Sequence, residues 1–334
     1  MQKNFTLMIV SVLLLVLFSF ADILIGSVSI PFKEILNYFI GGEIREEYST
    51  IIKEFRLPKT ITAIITGIAL SVAGLQMQTI FRNPLAGPYV LGISAGAGLG
   101  VAVLLLSPIS FLITSSIGMS WLSSIFAWLG AASVMLIIFG VSVRVKDVMT
   151  ILIIGVLFGS AVSAIISVLQ YFGDQAQLKT FVIWTMGSLS GVTNDQLIVL
   201  IPSVIIGLII SIFSIKILNV LLLGENYAKS SGLNLSFARV MIFSSTSLLA
   251  GTVTAFCGPI GFIGIIVPHL ARMIFKSADH RILIPASALL GSILLLISDI
   301  ISQLPGINGT LPINSVTAIL GIPIVINIVL KTRL

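Results

Sequence analysis

Charged residues are scarce in this sequence. Only 9% of its 334 residues are Asp, Glu, Lys or Arg and 57% are hydrophobic, whereas about 25% charged is usual for a soluble domain. The hydrophobic residues fall in runs of about 20, the length that an α-helix needs to cross roughly 30 Å of hydrocarbon. This composition excludes a water-soluble fold and predicts an all-α polytopic membrane protein.

Cysteine and several catalytic motifs are also lacking. Cys257 is the one cysteine and lies inside an apolar stretch, so the chain holds no disulfide framework or thiolate metal cluster of its own. The sequence contains no GxxxxGK(S/T) phosphate loop, no HExxH and no CxxC. We therefore expect no catalytic residue, no bound metal, no cofactor and no enzymatic activity of the chain itself.

Ionisable residues are almost absent from the middle of the hydrophobic runs. Each would cost roughly 2.5 to 3.5 kcal/mol there and is kept where ions or protons are coupled to transport. Asp22 and Asp299 fall near the outer ends of their runs, and His269 follows Pro268. For these three residues we expect an interfacial or helix-capping role. The pattern disfavours an ion-coupled transporter, so the energy for transport must come from elsewhere.

The hydrophobic runs predict ten transmembrane helices in a single domain, residues 1–334. Their approximate positions are 6–26, 57–80, 89–107, 121–143, 148–171, 195–215, 237–257, 260–275, 282–302 and 313–330. The first run is interpreted as a retained span, because no small-residue cleavage site follows it. With both ends in the cytoplasm, 12 of the 18 basic residues but three of the 12 acidic ones lie inside. This is the positive-inside bias, so the net charge of +6 is not interpreted as a nucleic-acid site.

Two cytoplasmic segments look like docking elements. Residues 223–233 place Glu225 and Lys229 at i,i+4 spacing and Gly232 where a helix would end, which predicts a short helix across the membrane face. Residues 82–88 contain two prolines and predict a stiff turn between the second and third spans.

Six stretches of the sequence, in order, resemble the FecCD permeases of type II ABC importers. They are RLPK (56–59), RNPLA (82–86), LGISAG (91–96), WTMGSL (184–189), LGE (223–225) and GPIGFIGIIVPHLAR (258–272) followed by DHR (279–281). The resemblance implies a BtuC-like fold of ten spans, with the pathway between two permease subunits, either a homodimer or a pair of similar paralogues. It also implies two ABC ATPase subunits, an extracytoplasmic substrate-binding protein and a place among the lipids of a bacterial cytoplasmic membrane.

The resemblance also assigns roles to residues. The family's ATPase-coupling loop falls on Leu223, Gly224, Glu225, Ala228 and Gly232. Its cytoplasmic gates fall on Asn83, Leu85, Val148 and Met149. Binding-protein docking falls on Arg56 and Lys59, cations that would meet acidic residues, with a solvated or lipid-headgroup role as the alternative. Gln303 stands where several relatives have arginine, so the docking surface would lose one cation per subunit.

These features together predict the permease subunit of an ABC importer for a ferric siderophore, powered by separate ATPase subunits. Haem or cobalamin is the alternative cargo within the same family. The alternative of another class is an ion-coupled secondary transporter, which the scarcity of ionisable residues in mid-span disfavours.

Overall fold

Apolar α-helices form the computed structural model of the chain, which describes residues 2–26, 28–107, 118–145, 147–303 and 309–332. Within these ranges the α-helices, in chain order, are α1 (Gln2–Leu24), α2 (Phe32–Ile40), α3 (Glu46–Ile51), α4 (Leu57–Ile80), α5 (Ile93–Leu106), α6 (Met119–Arg144), α7 (Val148–Phe172), α8 (Gln175–Thr185), α9 (Asn194–Phe213), α10 (Ile215–Leu221), α11 (Glu225–Ser230), α12 (Leu235–Thr246), α13 (Thr252–Cys257), α14 (Ile263–Phe275), α15 (His280–Ser302) and α16 (Ile313–Thr332). Two π-helical turns, Ile52–Arg56 and Ser247–Gly251, join α3 to α4 and α12 to α13.

Among the residues that the structure describes, seven helical stretches are long and apolar enough to cross a membrane. They contain α1, α3 with α4, α6, α7, α9, α12 with α13, and α15. Three further apolar helices, α5, α14 and α16, are shorter. These ten stretches coincide with the ten predicted spans, and the all-α polytopic membrane fold is confirmed.

Helices α5 and α14 are short because the chain before each is irregular. At 14 and 13 residues, they extend about 20 Å, less than the roughly 30 Å of hydrocarbon. The two irregular segments contact each other, because the backbone N–H of Ile260 donates to Tyr89 Oη at 3.3 Å. The first turn of α14 also lies against the segment before α5, where Gly264 meets Pro88. Irregular backbone at this depth is stable only where protein buries it.

Helix α4 forms the centre of the bundle. Most of its residues are buried, and it packs against α14 and α15. At Gly74 the backbone of α4 touches the backbone of Gly264, and at Gly67 it touches that of Gly291. Small residues at such crossings let two helices approach more closely than any side chain would allow. The two ends of α4 therefore have fixed positions, one at each face of the protein.

Candidate functional site

Helix α11 is the predicted coupling element, and its end is capped as the sequence indicated. The backbone N–H of Leu233 donates to the carbonyl of Ala228 at 2.9 Å, and that of Gly232 to the carbonyl of Lys229 at 3.0 Å. Gly232 has φ of +83°. These two bonds with a left-handed glycine form a Schellman motif, so the predicted cap at Gly232 is confirmed. The side chain of Ala228 is fully buried and fixes the helix to the bundle.

The opposite face of this segment is exposed and apolar. Leu223 is 62% exposed and Tyr227 is 56% exposed, on either side of the buried Gly224. Exposed aromatic and aliphatic side chains of this kind are typical anchors of protein interfaces. The segment can therefore present Leu223 and Tyr227 to a partner, as the predicted coupling role requires.

Glu225 binds a different partner from the one its spacing favours. The i,i+4 position suggested Lys229, but the carboxylate Oε1 lies 3.0 Å from Nη2 of Arg239. Helix α12 packs against α11 and brings this buried guanidinium to it. Nη1 of Arg239 also donates to the carbonyl of Val145 at 3.0 Å, just before α7. A tertiary contact has replaced the local pair.

The first predicted gate segment, the turn at residues 82–88, follows α4. The side-chain Oδ1 of Asn83 accepts from the N–H of Leu85 at 2.9 Å, which closes a tight turn and leaves the side chain of Leu85 42% exposed. Arg82 Nη2 donates to the carbonyl of Leu222 at 3.2 Å. The structure thus brings this segment against the start of the coupling element.

The second predicted gate segment opens α7. Asp147 caps the helix by accepting from the Thr150 hydroxyl at 2.7 Å and from the Thr150 N–H at 2.8 Å. These two hydrogen bonds hold the pKa of Asp147 below its ordinary value. Val148 is buried and Met149 is 49% exposed. The gate roles of both segments stay predictions.

A polar network that sequence reasoning did not identify supports the helix before α11. Asn219 Nδ2 donates to Asp279 Oδ1 at 2.7 Å, so Asn219 Oδ1 faces the N–H of His280 at 2.9 Å and His280 Nδ1 at 2.7 Å. Nδ1 therefore carries a proton, and Nε2 lies 2.9 Å from the hydroxyl of Thr79. The Arg281 N–H and the Asn219 amide lower the pKa of Asp279. The one sequence signal was the resemblance at residues 279–281.

The opposite face of the molecule holds a buried charge cluster. Lys59 Nζ lies 2.7 Å from Asp299 Oδ2 and 3.4 Å from Asp22 Oδ1, and the Thr60 hydroxyl donates to Asp22 Oδ2 at 2.5 Å. All three charged side chains are at most 6% exposed. The expected capping or interfacial role of the two acids is therefore wrong, because both bind Lys59 inside the bundle.

Arg56 and Gln303 complete the cluster. The guanidinium of Arg56 donates to the backbone carbonyls of Ile23 and Leu24, and so neutralises the negative C-terminal end of α1; it also donates to the carbonyl of Val28. Gln303 Nε2 donates to Asp299 Oδ2 at 2.7 Å, so this amide binds a carboxylate within the chain. Arg56 and Lys59 are both about 5% exposed. Their docking role stays a prediction, and in this structure both cations are already bonded inside the subunit.

Two features bear on catalysis. Residues 92–96 have the letters of a GxSxG nucleophile motif, but that motif needs a strand before it, and here a turn leads into α5. Across the residues that the structure describes, no group of three His, Cys, Asp or Glu side chains could hold a metal ion. The polar residues found above link helices, and none forms a catalytic constellation.

Comparison with known proteins gives one consistent result. The family model described as the FecCD transport family matches residues 13–331. The hemin transport system permease protein HmuU of Yersinia pestis is 33% identical over 331 residues, covering 96% of this chain and 94% of that protein. The vitamin B12 import system permease protein BtuC of Citrobacter koseri is 36% identical over 281 residues, covering 84% and 83%. A solved structure of an ABC transporter of the metal-chelate type, in an inward-facing conformation, has a TM-score of 0.80 at 27% identity and covers 98% of this chain and 99% of that one.

Proposed function

Because the chain belongs to the FecCD transport family and is the permease subunit of an ABC importer, we propose that it carries a ferric siderophore inward across a bacterial cytoplasmic membrane. The permease is not itself an ATPase, and an importer of this class includes ATPase and binding-protein subunits. We further propose that two ATPase subunits dock on α11, that a second permease subunit pairs with this one, and that the outer helices contact lipid.

The chemistry shared by the relatives supports a chelated metal as cargo. Hemin and vitamin B12 each hold a metal ion inside a large organic ligand, and the solved structure with a TM-score of 0.80 is of an ABC transporter of the metal-chelate type. A ferric siderophore belongs to the same chemical class. Haem and cobalamin are the other cargoes that the uptake experiment below distinguishes.

One face of α7 carries the proposal. Residues on this face recur at helical spacing, and all are exposed: Met149, Ile153 and Val156 toward the cytoplasmic end, then Ser160, Ser163 and Ser167. Each serine hydroxyl donates to the carbonyl four residues earlier at 2.9–3.0 Å. The face is thus weakly polar in its outer half and apolar at its cytoplasmic end. Such a surface suits a path that a large ligand can leave, with an apolar gate at the bottom.

The exposure of α7 supports a second permease subunit beside it. Only four of its 25 residues, Val148, Ile151, Gly155 and Val162, are buried within the subunit. A groove of about 600 Å³ runs along the helix between Tyr89 and Ser163. The serine hydroxyls already donate within the helix, but their oxygens can still accept hydrogen bonds, which a polar path between two subunits offers and lipid does not.

Cross-linking should place the serine face between two subunits. With Cys257→Ala removing the native thiol, Ser163→Cys should react with a short bifunctional maleimide in membranes to give a permease dimer on denaturing gels. Ile165→Cys is the matched control, since it is 51% exposed but lies about 200° around the helix. Equal yields of dimer from the two positions would contradict the proposed path.

Uptake should identify both the cargo and the coupling. Cells lacking the chain would be given ⁵⁵Fe-siderophore, ⁵⁵Fe-hemin or labelled cobalamin, and then restored with wild type, Leu223→Asp or Ser236→Asp. We expect wild type and Ser236→Asp to restore ferric-siderophore uptake, and Leu223→Asp to reduce it by about tenfold or more, because burying one carboxylate in an apolar contact costs several kcal/mol. Leu223 is preferred to Glu225 because reversal of Glu225 would also break its bond to Arg239.

The outcomes separate the alternatives. If only hemin or only cobalamin uptake is restored, that ligand is the cargo in place of a ferric siderophore, and the importer role stands. Uptake that persists without the partner ATPase and stops with a protonophore would replace the importer with a secondary transporter. Equal uptake with Leu223→Asp and wild type would reject the coupling role of the α11 segment.

A further inference from the structure

Two arginines connect the coupling helix α11 to the two gate segments, one arginine to each. Arg82 lies in the first gate segment, and its guanidinium donates to the carbonyl of Leu222, just before α11. Arg239 binds both Glu225 of α11 and the carbonyl of Val145, which ends α6 three residues before the second gate segment. We propose that Arg82 and Arg239 are positioning residues that transmit movement of α11 to the two gates separately. This inference rests on the proposed coupling and gate roles.

The connection through Arg82 depends on its backbone and on Gly224. Arg82 has φ of +49°, a left-handed conformation that glycine would adopt at lower cost. The arginine side chain is used here to reach the carbonyl of Leu222. A Cβ on Gly224 would lie 3.2 Å from Arg82 Nη2, and Gly224 itself has φ of +110°. The close approach of the guanidinium to the coupling segment thus explains both the strained backbone of Arg82 and the glycine at position 224.

The connection through Arg239 is a two-sided bridge. Its Nη2 binds the Glu225 carboxylate and its Nη1 binds the Val145 carbonyl, each at 3.0 Å. The planar guanidinium presents these donors in a fixed geometry that the single ammonium of lysine cannot reproduce. Val145 lies three residues before Val148, with the capping residue Asp147 between them. A displacement of Glu225 is therefore passed to the start of α7 through one rigid group.

The two connections differ in strength. Arg82 is exposed and its side chain donates to one neutral carbonyl, whereas Arg239 is 4% exposed and pairs with a carboxylate. An exposed single hydrogen bond is broken and remade easily, but a buried charged pair resists separation. We therefore expect the second gate to follow α11 throughout a transport cycle and the first gate to be released within it.

Thiol labelling of each gate tests the proposal without knowledge of the cargo. In the permease–ATPase complex in liposomes, with Cys257→Ala, a single Leu85→Cys or Met149→Cys would be labelled by a water-soluble maleimide before and after ATP with vanadate. In the otherwise unchanged complex we expect each labelling rate to change by about tenfold, as a shift of ~1.4 kcal/mol in the gate equilibrium would give. Arg82→Gln should abolish the change at Leu85→Cys alone, and Arg239→Gln the change at Met149→Cys alone.

Further variants separate a bridge from a simple ion pair. Arg82→Lys retains a donor for the Leu222 carbonyl and should restore the response of the first gate, whereas Arg239→Lys cannot span both partners and should not restore the second. The charge swap Glu225→Arg with Arg239→Glu keeps the ion pair but offers no donor to Val145, so the ATPase should still bind and the first gate should still respond, without the second-gate response. Arg281→Gln, at an exposed arginine on the same membrane face, is the control and should change neither gate.

The outcomes separate a failure of this inference from a failure of the proposed function. If the complex with native arginines does not bind the ATPase, or neither gate responds to ATP, the proposed function fails. If it responds and the two glutamine variants respond equally well, or each abolishes both gate responses together, the separate transmission fails. Recovery of the second-gate response in the charge swap would show that the ion pair alone is enough and would overturn the bridge.

Discussion

Replacing Lys59 with methionine should destabilise the folded chain by about 3–5 kcal/mol, the usual cost of removing one partner from a buried ion pair. Methionine keeps the apolar stem but removes the ammonium that lies 2.7 Å from Asp299 and 3.4 Å from Asp22. Both carboxylates would remain buried without it. Unfolding in detergent with increasing dodecyl sulfate, followed by tryptophan fluorescence, would measure the loss.

Two further variants are the controls for Lys59→Met. Lys53→Met removes an exposed lysine, 68% exposed at its side chain and 3.9 Å from Glu54, and should change stability by less than about 0.5 kcal/mol. The triple variant Lys59→Met, Asp22→Asn, Asp299→Asn removes all three charges and should recover most of the loss, because no charge is left unpaired. If Lys59→Met and Lys53→Met unfold at the same detergent concentration, the buried cluster does not stabilise the fold.

This cluster shows where sequence reasoning ends. The hydrophobic runs predicted Asp22, Lys59 and Asp299 at the outer ends of three different spans, and the structure places them near the ends of α1, α4 and α15. Nothing in the runs states which spans are neighbours, so the three charges were assigned separate surface roles. Their convergence depends on the packing of α1 and α15 against α4, which is a tertiary fact. Charges at similar depth in separate spans were the one available signal of a buried network.

In the coupling segment, too, the features set by local sequence were predictable and those set by tertiary packing were not. Gly232 and its Schellman motif were predictable because a helix end is set by residues within one turn of it. The partner of Glu225 was not predictable, because Arg239 lies 14 residues away and is brought in by the packing of α12 on α11. The lengths of α5 and α14 follow the same rule: the short helices depend on two irregular segments that bury each other, and hydropathy alone reports only an apolar run.

The crossing of α4 and α14 leads to the second large expected effect. The backbone of Gly74 lies directly against the backbone of Gly264, and an added Cβ would overlap the Gly264 carbonyl oxygen. A flexible side chain could move aside, but a carbonyl within a packed helix cannot move without displacing the helix. Close approach at this point also positions both ends of α4, with the charge cluster at one end and Arg82 just beyond the other.

We therefore expect Gly74→Ala to destabilise the chain by about 3 kcal/mol or more, at the upper end of the usual cost of overpacking. Gly140→Ala is the matched control, since Gly140 lies within α6 and a Cβ there would meet nothing within 4 Å. That change should stabilise the helix by about 0.5–1 kcal/mol, because alanine loses less backbone entropy than glycine. The same chemical change should thus have opposite signs at two helical glycines, measured as the temperature at which each variant leaves the monodisperse peak in size-exclusion chromatography. Equal transition temperatures for the two variants would mean that α4 and α14 are not in backbone contact, and that the position of the gate segment after α4 is set in another way.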